Sequence, residues 1–495
     1  MLHILATRRL VIGLVLILLL AVGALAAMSA SQDRRRPGVP PNDANVPPAP
    51  AAEVACPALD PGRIARLQLT PAEQEVLRSA CDRIALQRRG EITLRIVDAQ
   101  GTAVRGLPVD VVQVRHGFPF GGHPNEVAAG TLAPDERAAY EDAFFGLFNH
   151  VVWGFPWRTM EPERGVVRLD LIDRAIEWSG RGHATLRGHA LIYPQSQPRW
   201  LIELPNAVEQ QRLADAHVRA VVGRARGRVQ AWDVVNEAKN SASLTVMQRG
   251  QQIVSPQIDE ATVRTIAGYA APAFQSAHEA DPRAVLMIND NRMLSGRQVG
   301  KVEAILQELQ RRQAPFNGVG IQAHAREEGR VSLDQAHQNL DRIARYGRIY
   351  LTEISVPSRP QRPGESVFDA IDWPGWSEET QADYAVALFT LAFGHPAVDE
   401  VTYWSVTDRR EDPPTTATGL MRSDLSRRPV YSALQDLVRG TWWTRASLRP
   451  DPEGTARLRA FLGDYAVTAT LPDGRRLTGT FTASKPAEEI TVTLR

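Results

Sequence analysis

Short apolar segments alternate with longer helical patterns through most of this chain, from residue 117 to residue 440. Strands that alternate with helices in this way are typical of parallel sheets. Eight such strands with intervening helices in about 320 residues predict a (β/α)8 barrel. The predicted strands are 118–121, 149–153, 184–191, 229–235, 284–289, 318–323, 348–354 and 400–406. The helical patterns include 206–224, 259–280, 298–312 and 377–393.

A doubly wound α/β sheet is the competing fold, because it is built from the same alternation. Such sheets commonly carry a glycine-rich phosphate loop after the first strand, and no such loop follows residues 118–121. The TIM barrel is therefore the predicted fold. It gathers the carboxyl ends of its strands on one face, where active sites of these barrels lie.

The first 30 residues are not expected to belong to the fold. Arg8 and Arg9 precede an uninterrupted apolar run over residues 10–28, and small residues stand at its end. This pattern is typical of a signal peptide, but the run is also long enough to span a bilayer. We therefore expect an exported protein. It is secreted if the segment is cleaved, and tethered to the outer face of the membrane if the segment is kept as an anchor.

The remaining flanks divide by composition. Residues 31–55 are rich in Pro and Ala and predict an extended linker. Residues 56–116 predict an accessory segment of helix and then strands, with a capping box that begins at Thr70. The barrel itself is placed at residues 117–440. Residues 441–495 predict a small C-terminal β module, which either covers barrel surface or binds glycan.

The chain has two cysteines, Cys56 and Cys81. In an oxidising compartment they predict a disulfide, and two unpaired buried thiols are the alternative. The net charge of +1 and the scattered basic residues give no indication of a nucleic-acid partner. We expect a monomer.

Two glutamates stand where predicted barrel strands end. Glu237 follows the fourth strand, and Glu353 lies near the end of the seventh. A glutamate at a strand end is more often an ion pair or a cap than a catalytic group, but a barrel brings these two to one face. Two facing carboxylates are the apparatus of glycoside hydrolysis. Glu237 suits the acid/base role and Glu353 the nucleophile.

Other polar and aromatic residues are predicted near this pair. Asn236 precedes Glu237 and could contact a sugar 2-hydroxyl. Gln322 and His324 end the sixth strand, and His189 ends the third; a histidine beside a carboxylate could orient it and tune its charge. Trp404, on the eighth strand, could form a floor for a sugar or pack in the core.

Metal and serine-triad chemistry find no support in the motifs. The chain lacks a His-Glu-x-x-His motif, clustered Cys/His spacing and a Gly-x-Ser-x-Gly elbow. Residues 289–291 (Asn-Asp-Asn) resemble a cation site only in composition and are predicted to shape a loop at the end of the fifth strand. We expect no metal and no organic cofactor.

Several motifs closely resemble those of glycoside hydrolase family 10, the retaining endo-1,4-β-xylanases. They occur in the order of that family and lie at residues 161–165 (EPERG), 187–189 (RGH), 232–238 (WDVVNEA), 288–290 (IND), 319–324 (VGIQAH) and 351–353 (LTE). The resemblance covers residues 115–440. It implies Glu237 as acid/base, Glu353 as nucleophile, and a substrate shell of His189, Asn236, Gln322 and His324.

The chain departs from the family pattern at substrate contacts. A Glu-Asn…Lys group usually follows the second strand, whereas this chain has Trp153-Gly154-Phe155-Pro156-Trp157-Arg158. Arg158 is a candidate replacement for the lost lysine. Trp157 and its aromatic neighbours either stack on a glycan or pack at the barrel mouth.

Three further departures lie around the predicted site. Tyr193-Pro194 replaces a Trp-His pair, and Ser355 replaces an aspartate that is common after the nucleophile. Arg409-Arg410-Glu411-Asp412 stands where a tryptophan usually caps the site. We expect the chemistry to be kept and the specificity to be shifted.

The predicted function is retaining hydrolysis of a β-1,4-linked polysaccharide, with xylan as the default substrate. Retention requires the two carboxyl groups to lie about 5–5.5 Å apart. One alternative is a β-glucan or a decorated hemicellulose as the substrate. Another is a weakly active cell-surface glycan-binding protein, which has little reason to hold two facing carboxylates.

Overall fold

The structure is a computed structural model, and it describes residues 55–245, 257–360, 373–409 and 417–495. The predicted leader (1–30) and all of the predicted linker except Ala55 lie outside the described residues. So do Arg410, Glu411 and Asp412. Among the described residues, no helix is both long enough and apolar enough to cross a membrane.

Eight parallel strands close into a barrel, which confirms the predicted fold. Their order around the barrel follows the chain, with the last strand pairing with the first. The strands are β3 (Phe120–Gly122), β4 (His150–Gly154), β5 (Thr185–Ile192), β6 (Ala231–Asn236), β7 (Val285–Asp290), β8 (Gly318–Ile321), β9 (Arg348–Ile354) and β10 (Val398–Tyr403). Each matches a predicted strand with small shifts at its ends.

Helices cover the outside of the barrel and begin at recognisable caps. Asn206 accepts hydrogen bonds from the backbone N–H groups of residues 208 and 209, and Asp259 accepts one from Thr262. The helices are α1 (Pro61–Leu67), α2 (Pro71–Gln87), α3 (Asn125–Ala129), α4 (Pro134–Leu147), α5 (Trp157–Met160), α6 (Asp170–Arg181), α7 (Arg199–Ile202), α8 (Ala207–Ala225), α9 (Glu260–Ala280), α10 (Val299–Arg311), α11 (Ala325–Glu328), α12 (Leu333–Ile343), α13 (Glu378–Phe393) and α14 (Pro429–Gln435).

The N-terminal helices pack against the barrel through α13. The capping box of α2 forms as predicted, with Thr70 and Glu73 as reciprocal partners. Arg63 and Arg66 both bind the carboxylate of Asp383 on α13. Because α1 and α2 cover it, α13 is buried along nearly its whole length, although a helix on the outside of a barrel normally keeps one face in water.

The predicted disulfide is present. Cys56 and Cys81 are bonded, with their Cα atoms 5.8 Å apart, and the bond closes a sequence separation of 25. It joins the chain just before α1 to the middle of α2. Among the described residues there is no free cysteine.

The strands on either side of the barrel form one β-sandwich, which corrects the prediction of two separate accessory segments. β1 (Arg89–Val97) pairs with β12 (Thr455–Phe461) and β15 (Ala487–Thr493). β2 (Val109–His116) pairs with β11 (Arg445–Leu448) and β13 (Gly463–Thr470), which pairs with β14 (Arg476–Ala483).

The physical reason lies in the apolar faces of these strands. Ile92, Leu94 and Val111 from the N-terminal part share one core with Leu458, Val467 and other residues of the C-terminal part. β1 and β2 are interior strands of the two sheets, so the C-terminal strands depend on them for pairing, and β1 and β2 alone could not bury their own apolar faces.

Candidate active site

Glu237 lies immediately after β6, at the carboxyl-end face of the barrel. Its backbone has a left-handed φ of 51°, which is uncommon for a residue other than glycine. Its N–H donates to the carbonyl of Asn289 on β7 over 2.8 Å, which fixes the turn. The side chain is partly exposed and accepts hydrogen bonds from Gln195 (3.1 Å) and Asn240 (3.0 Å).

Glu353 lies near the end of β9 and is 4% exposed. Its Oε1 atom accepts a hydrogen bond from the amide of Asn289 over 2.8 Å, and Oε2 lies 3.1 Å from Nε2 of His324. Nδ1 of His189 is 3.8 Å from Oε1. The carboxylate is therefore held at both oxygens by three other strand ends.

Asn289 connects the backbone of Glu237 to the carboxylate of Glu353, and the sequence reasoning missed this role. Its carbonyl accepts from the backbone N–H of Glu237 and its side-chain amide donates to Glu353, while its Oδ1 accepts from the hydroxyl of Thr352 over 2.7 Å. Gly320 on the next strand makes room, since a Cβ there would lie 2.6 Å from that Oδ1 atom. The signal that could have found Asn289 is its place at a strand end beside the strand that carries Glu237.

Two of the predicted site residues, Asn236 and Gln322, lie beside Glu237. The Gln322 amide donates to the Asn236 Oδ1 atom over 3.3 Å and approaches Glu237 Oε1 at 3.4 Å. Both residues are 2% exposed. Of the two, Asn236 is the one that sequence reasoning assigned to a sugar hydroxyl.

A buried network of charges lies beneath Glu353. Asp233 on β6 accepts from Nδ1 of His189 over 2.7 Å and also binds Arg187 of β5. Arg187 continues to Glu400 of β10 over 3.1 Å and is fully buried. Buried charges need such partners, because an unpaired one would lose its hydration without compensation.

The two glutamates have pKa values displaced in opposite directions. Burial raises the pKa of Glu237, and the nearby carboxylates of Asp290, Glu327 and Glu353 add to the effect, against the opposing charge of Lys239. Burial alone would also raise the pKa of Glu353. His189 and His324 outweigh it and bring that pKa down to about 2. At neutral pH Glu353 is therefore charged, and Glu237 is the one of the two that holds a proton more readily.

The sequence profile of the glycosyl hydrolase family 10 matches residues 127–437, which is more than half of the chain and contains both glutamates. This chain belongs to glycosyl hydrolase family 10. Endo-1,4-beta-xylanase B of Thermotoga neapolitana is 27% identical over 57% of this chain and 78% of its own. Endo-1,4-beta-xylanase 1 of Arabidopsis thaliana is 25% identical over 87% of this chain.

The chain spans less than half the length of several curated relatives, including 42% of the Arabidopsis protein. Among solved structures, xylanase 10B of Thermotoga maritima aligns over 65% of this chain and 95% of its own, with a TM-score of 0.53 and 24% identity. Xylanase 10B of Thermotoga petrophila RKU-1 aligns over 65% and 94%, with a TM-score of 0.52 and 23% identity. These structures support the barrel fold.

Trp404 also lies at this family 10 site. It follows β10 directly, since that strand ends at Tyr403. The centroid of its ring lies 4.0 Å from the ring centroid of His123, 5.2 Å from that of His189 and 6.3 Å from that of His324. It is partly exposed. Trp404 therefore lies among the site histidines, where an aromatic face can meet the apolar face of a sugar ring.

Tyr193, which departs from the family pattern, also reaches the site. Its hydroxyl forms a hydrogen bond with Glu237, and burial followed by the charge of Glu237 raises the pKa of Tyr193. Ser355 occupies the position where an aspartate is common, and its hydroxyl lies 2.8 Å from Nδ1 of His324. His324 thus bridges Ser355 and Glu353.

The aromatic residues after β4 pack inside the fold, so of the two interpretations the structure supports packing, and the assignment of Trp157 as a substrate contact is corrected. Trp157 is 1% exposed, its indole N–H donates to Glu161 over 2.8 Å, and its ring stacks on His217 at 4.3 Å. Trp153 and Phe155 are likewise buried. The segment is apolar because it fills space between barrel and helices.

Arg158 is exposed on α5. No hydrogen bond or ion pair joins it to either glutamate among the residues that the structure describes, and its role as a substrate contact stays a prediction. Arg409 is engaged elsewhere. Its guanidinium binds both carboxylate oxygens of Glu136 and does not reach the glutamate pair.

Proposed function

We propose that this protein is a retaining endo-1,4-β-xylanase in which Glu353 is the nucleophile and Glu237 the acid/base. The observation that carries the proposal is the placement of both glutamates at the carboxyl-end face of the barrel, with Glu353 held at both oxygens by Asn289 and His324, and the opposite displacement of the two pKa values agrees with it. A double displacement needs one carboxylate that is charged and one that can hold a proton. The endo-1,4-β-xylanases among its family 10 relatives support xylan as the polymer.

In the first step, the charged carboxylate of Glu353 attacks the anomeric carbon and forms a glycosyl-enzyme. Glu237 donates its proton to the leaving glycosidic oxygen, so the sugar departs as a neutral alcohol. Asn289 and His324 hold the nucleophile by its two oxygens before the attack, which reduces the loss of freedom in the transition state.

In the second step, the ionised Glu237 takes a proton from water, and the resulting hydroxide-like oxygen attacks the anomeric carbon. The bond between that carbon and Glu353 breaks, and the nucleophile returns to its charged form. The charge of His189 and the hydrogen bond from His324 favour Glu353 as a leaving carboxylate for the same reason that they lower its pKa.

The test is product analysis on a panel of xylans and β-glucans, read by release of reducing ends. We expect short xylo-oligosaccharides from xylan and a loss of at least about 10⁴-fold in the Glu353→Ala variant. If the enzyme hydrolyses β-glucan and not xylan, the proposed substrate is wrong and β-glucan takes its place. Turnover that is unchanged in Glu353→Ala would overturn the assignment of the nucleophile.

We also propose that the protein acts as a monomer outside the cytoplasm, secreted or tethered to the outer face of the membrane. The apolar run over residues 10–28 and the disulfide between Cys56 and Cys81 support this location, because disulfides persist in oxidising compartments. Fractionation of cells followed by immunodetection tests it. Protein found only in the cytoplasm would contradict it.

A further inference from the structure

Two amide side chains hold Glu237 by the same oxygen. Gln195 lies in the turn after β5, and Asn240 lies in the turn after β6. Their Nε2 and Nδ2 atoms are 3.1 Å and 3.0 Å from Oε2 of Glu237. The other oxygen, Oε1, lies 3.4 Å from the amide of Gln322, which also reaches Asn236, and the hydroxyl of Tyr193 bonds the same carboxyl group.

Lys239 fixes the orientation of the Asn240 amide. Its ammonium is 1% exposed as a side chain and lies 3.0 Å from Oδ1 of Asn240, 2.7 Å from Oδ1 of Asn291 and 2.8 Å from the carboxylate of Asp290. An ammonium group can only donate hydrogen bonds, so the amide oxygen must face Lys239. The NH₂ group of Asn240 must then face Glu237.

A carboxylic acid has one oxygen that only accepts hydrogen bonds and one that carries the proton. Because Oε2 meets two amide N–H donors, the proton is excluded from that atom and resides on Oε1. After the proton has left, the same two donors stabilise the negative charge that remains. Lys239 strengthens this effect, since it polarises the amide of Asn240.

We propose that Gln195 and Asn240 are positioning residues that hold the acid/base Glu237 through Oε2 and direct its proton to Oε1 for delivery to the leaving group. This inference rests on the proposed function. Each is assigned to act through Glu237, because its amide bonds Oε2 of that residue.

The charged and titratable groups that face Glu237 are Lys239, Asp290, Glu327, Glu353 and Tyr193. Gln195→Met changes none of these groups, so a change in its pH profile reports the loss of the amide donor, whereas Asn240→Asp also adds a carboxylate beside Glu237.

The test uses Asn240→Asp and Gln195→Met with two aryl β-xylobiosides, one carrying a phenol and one a 2,4-dinitrophenol leaving group. The phenol needs a proton from Glu237 to leave, whereas dinitrophenolate leaves unaided. We expect kcat/KM to fall by roughly 10-fold to 100-fold for the phenyl substrate and to change little for the dinitrophenyl one.

The pH profile supplies the second readout. Asn240→Asp replaces a donor with a like charge, so Glu237 keeps its proton to higher pH, and the alkaline limb of kcat/KM should move up by about one pH unit or more. Gln335→Met is the matched control, because that exposed glutamine donates to the carbonyl of Ser295 and does not contact Glu237. It should match the parent on both substrates.

Equal losses on both substrates with an unmoved alkaline limb would mean a merely structural role and would overturn the proposal. So would full activity of both variants on the phenyl substrate. If Asn240→Asp fails to fold, as judged by its melting curve, Asn240→Ala and Gln195→Met still decide the leaving-group comparison. A parent enzyme that hydrolyses neither xylobioside would instead defeat the proposed function.

Discussion

The low pKa of Glu353 makes His324 the most informative residue to change. His324 donates one hydrogen bond to the nucleophile, and His189 contributes a nearby charge. The pKa of Glu353 is brought from 4.5 to about 2, which corresponds to about 3 kcal/mol in favour of the carboxylate. The perturbation is His324→Leu. It removes the imidazole N–H that donates to Glu353 and puts an apolar side chain of similar size in its place.

The expected size of the effect follows from that hydrogen bond. A hydrogen bond to a charged group contributes about 1.5–3 kcal/mol. This free energy corresponds to a change in the pKa of that group by about 1–2. The pKa of Glu353 in His324→Leu should therefore rise to about 3–4, and the acid limb of kcat/KM should move up by the same amount. The loss of activity relative to the parent should be larger at pH 3 than at pH 7.

The assay measures initial rates of hydrolysis of an aryl xylobioside from pH 2.5 to pH 8. The enzyme is kept at acid pH only briefly before each measurement. His278→Leu, a partly exposed histidine on α9, is the matched control and should retain the parent profile. An acid limb that stays in place in His324→Leu, or that moves to lower pH, would refute the reasoning.

The same displacement has a consequence for stability. Because the pKa of Glu353 is lower in the folded state, the ionised group stabilises the fold above about pH 4.5, and this contribution disappears as the pH falls toward 2. The free energy of unfolding of the parent should therefore drop over this window by more than that of His324→Leu. Urea unfolding at pH 5 and pH 3 measures both, and an equal drop in the two proteins would contradict the linkage.

Three further changes have defined outcomes. Glu237→Gln should abolish hydrolysis of xylan but leave the first step on a dinitrophenyl glycoside, visible as a burst of dinitrophenolate in stopped flow. Asn289→Ala removes the donor to Glu353 and should lower kcat by roughly 10-fold to 100-fold with a small effect on KM, as steady-state kinetics would measure. Replacing Cys56 and Cys81 with serine should lower the free energy of unfolding by roughly 3 kcal/mol without changing kcat, as urea unfolding and kinetics would show.

The barrel and the glutamate pair were predictable because their signals are local. Each strand is a short apolar run, and each glutamate stands where such a run ends. The fold then brings the strand ends together whatever the loops contain. The disulfide was predictable because Cys56 and Cys81 are the chain's two cysteines.

The β-sandwich and the packing of Trp157 were not predictable by the same reasoning. The alternation in β1 and in β12 marks each as a strand, but it carries no information about which strand pairs with which. Trp157 is of a residue type that often stacks on sugars. Its burial depends on His217 of helix α8, which is far from it in sequence. Asn289 and Asn240 were missed because an asparagine at a strand end also serves as an ordinary turn residue.

The central claim, that Glu353 forms a covalent bond with the sugar, can be tested by trapping the intermediate. A 2-deoxy-2-fluoro-β-xylobioside with a dinitrophenolate leaving group slows both steps but leaves the first one accessible. After peptide digestion and mass spectrometry, the account predicts one fluoroxylobiosyl label, on the peptide that carries Glu353 and on that side chain. A label on any other residue, or turnover of xylan to products of inverted anomeric configuration, would contradict it.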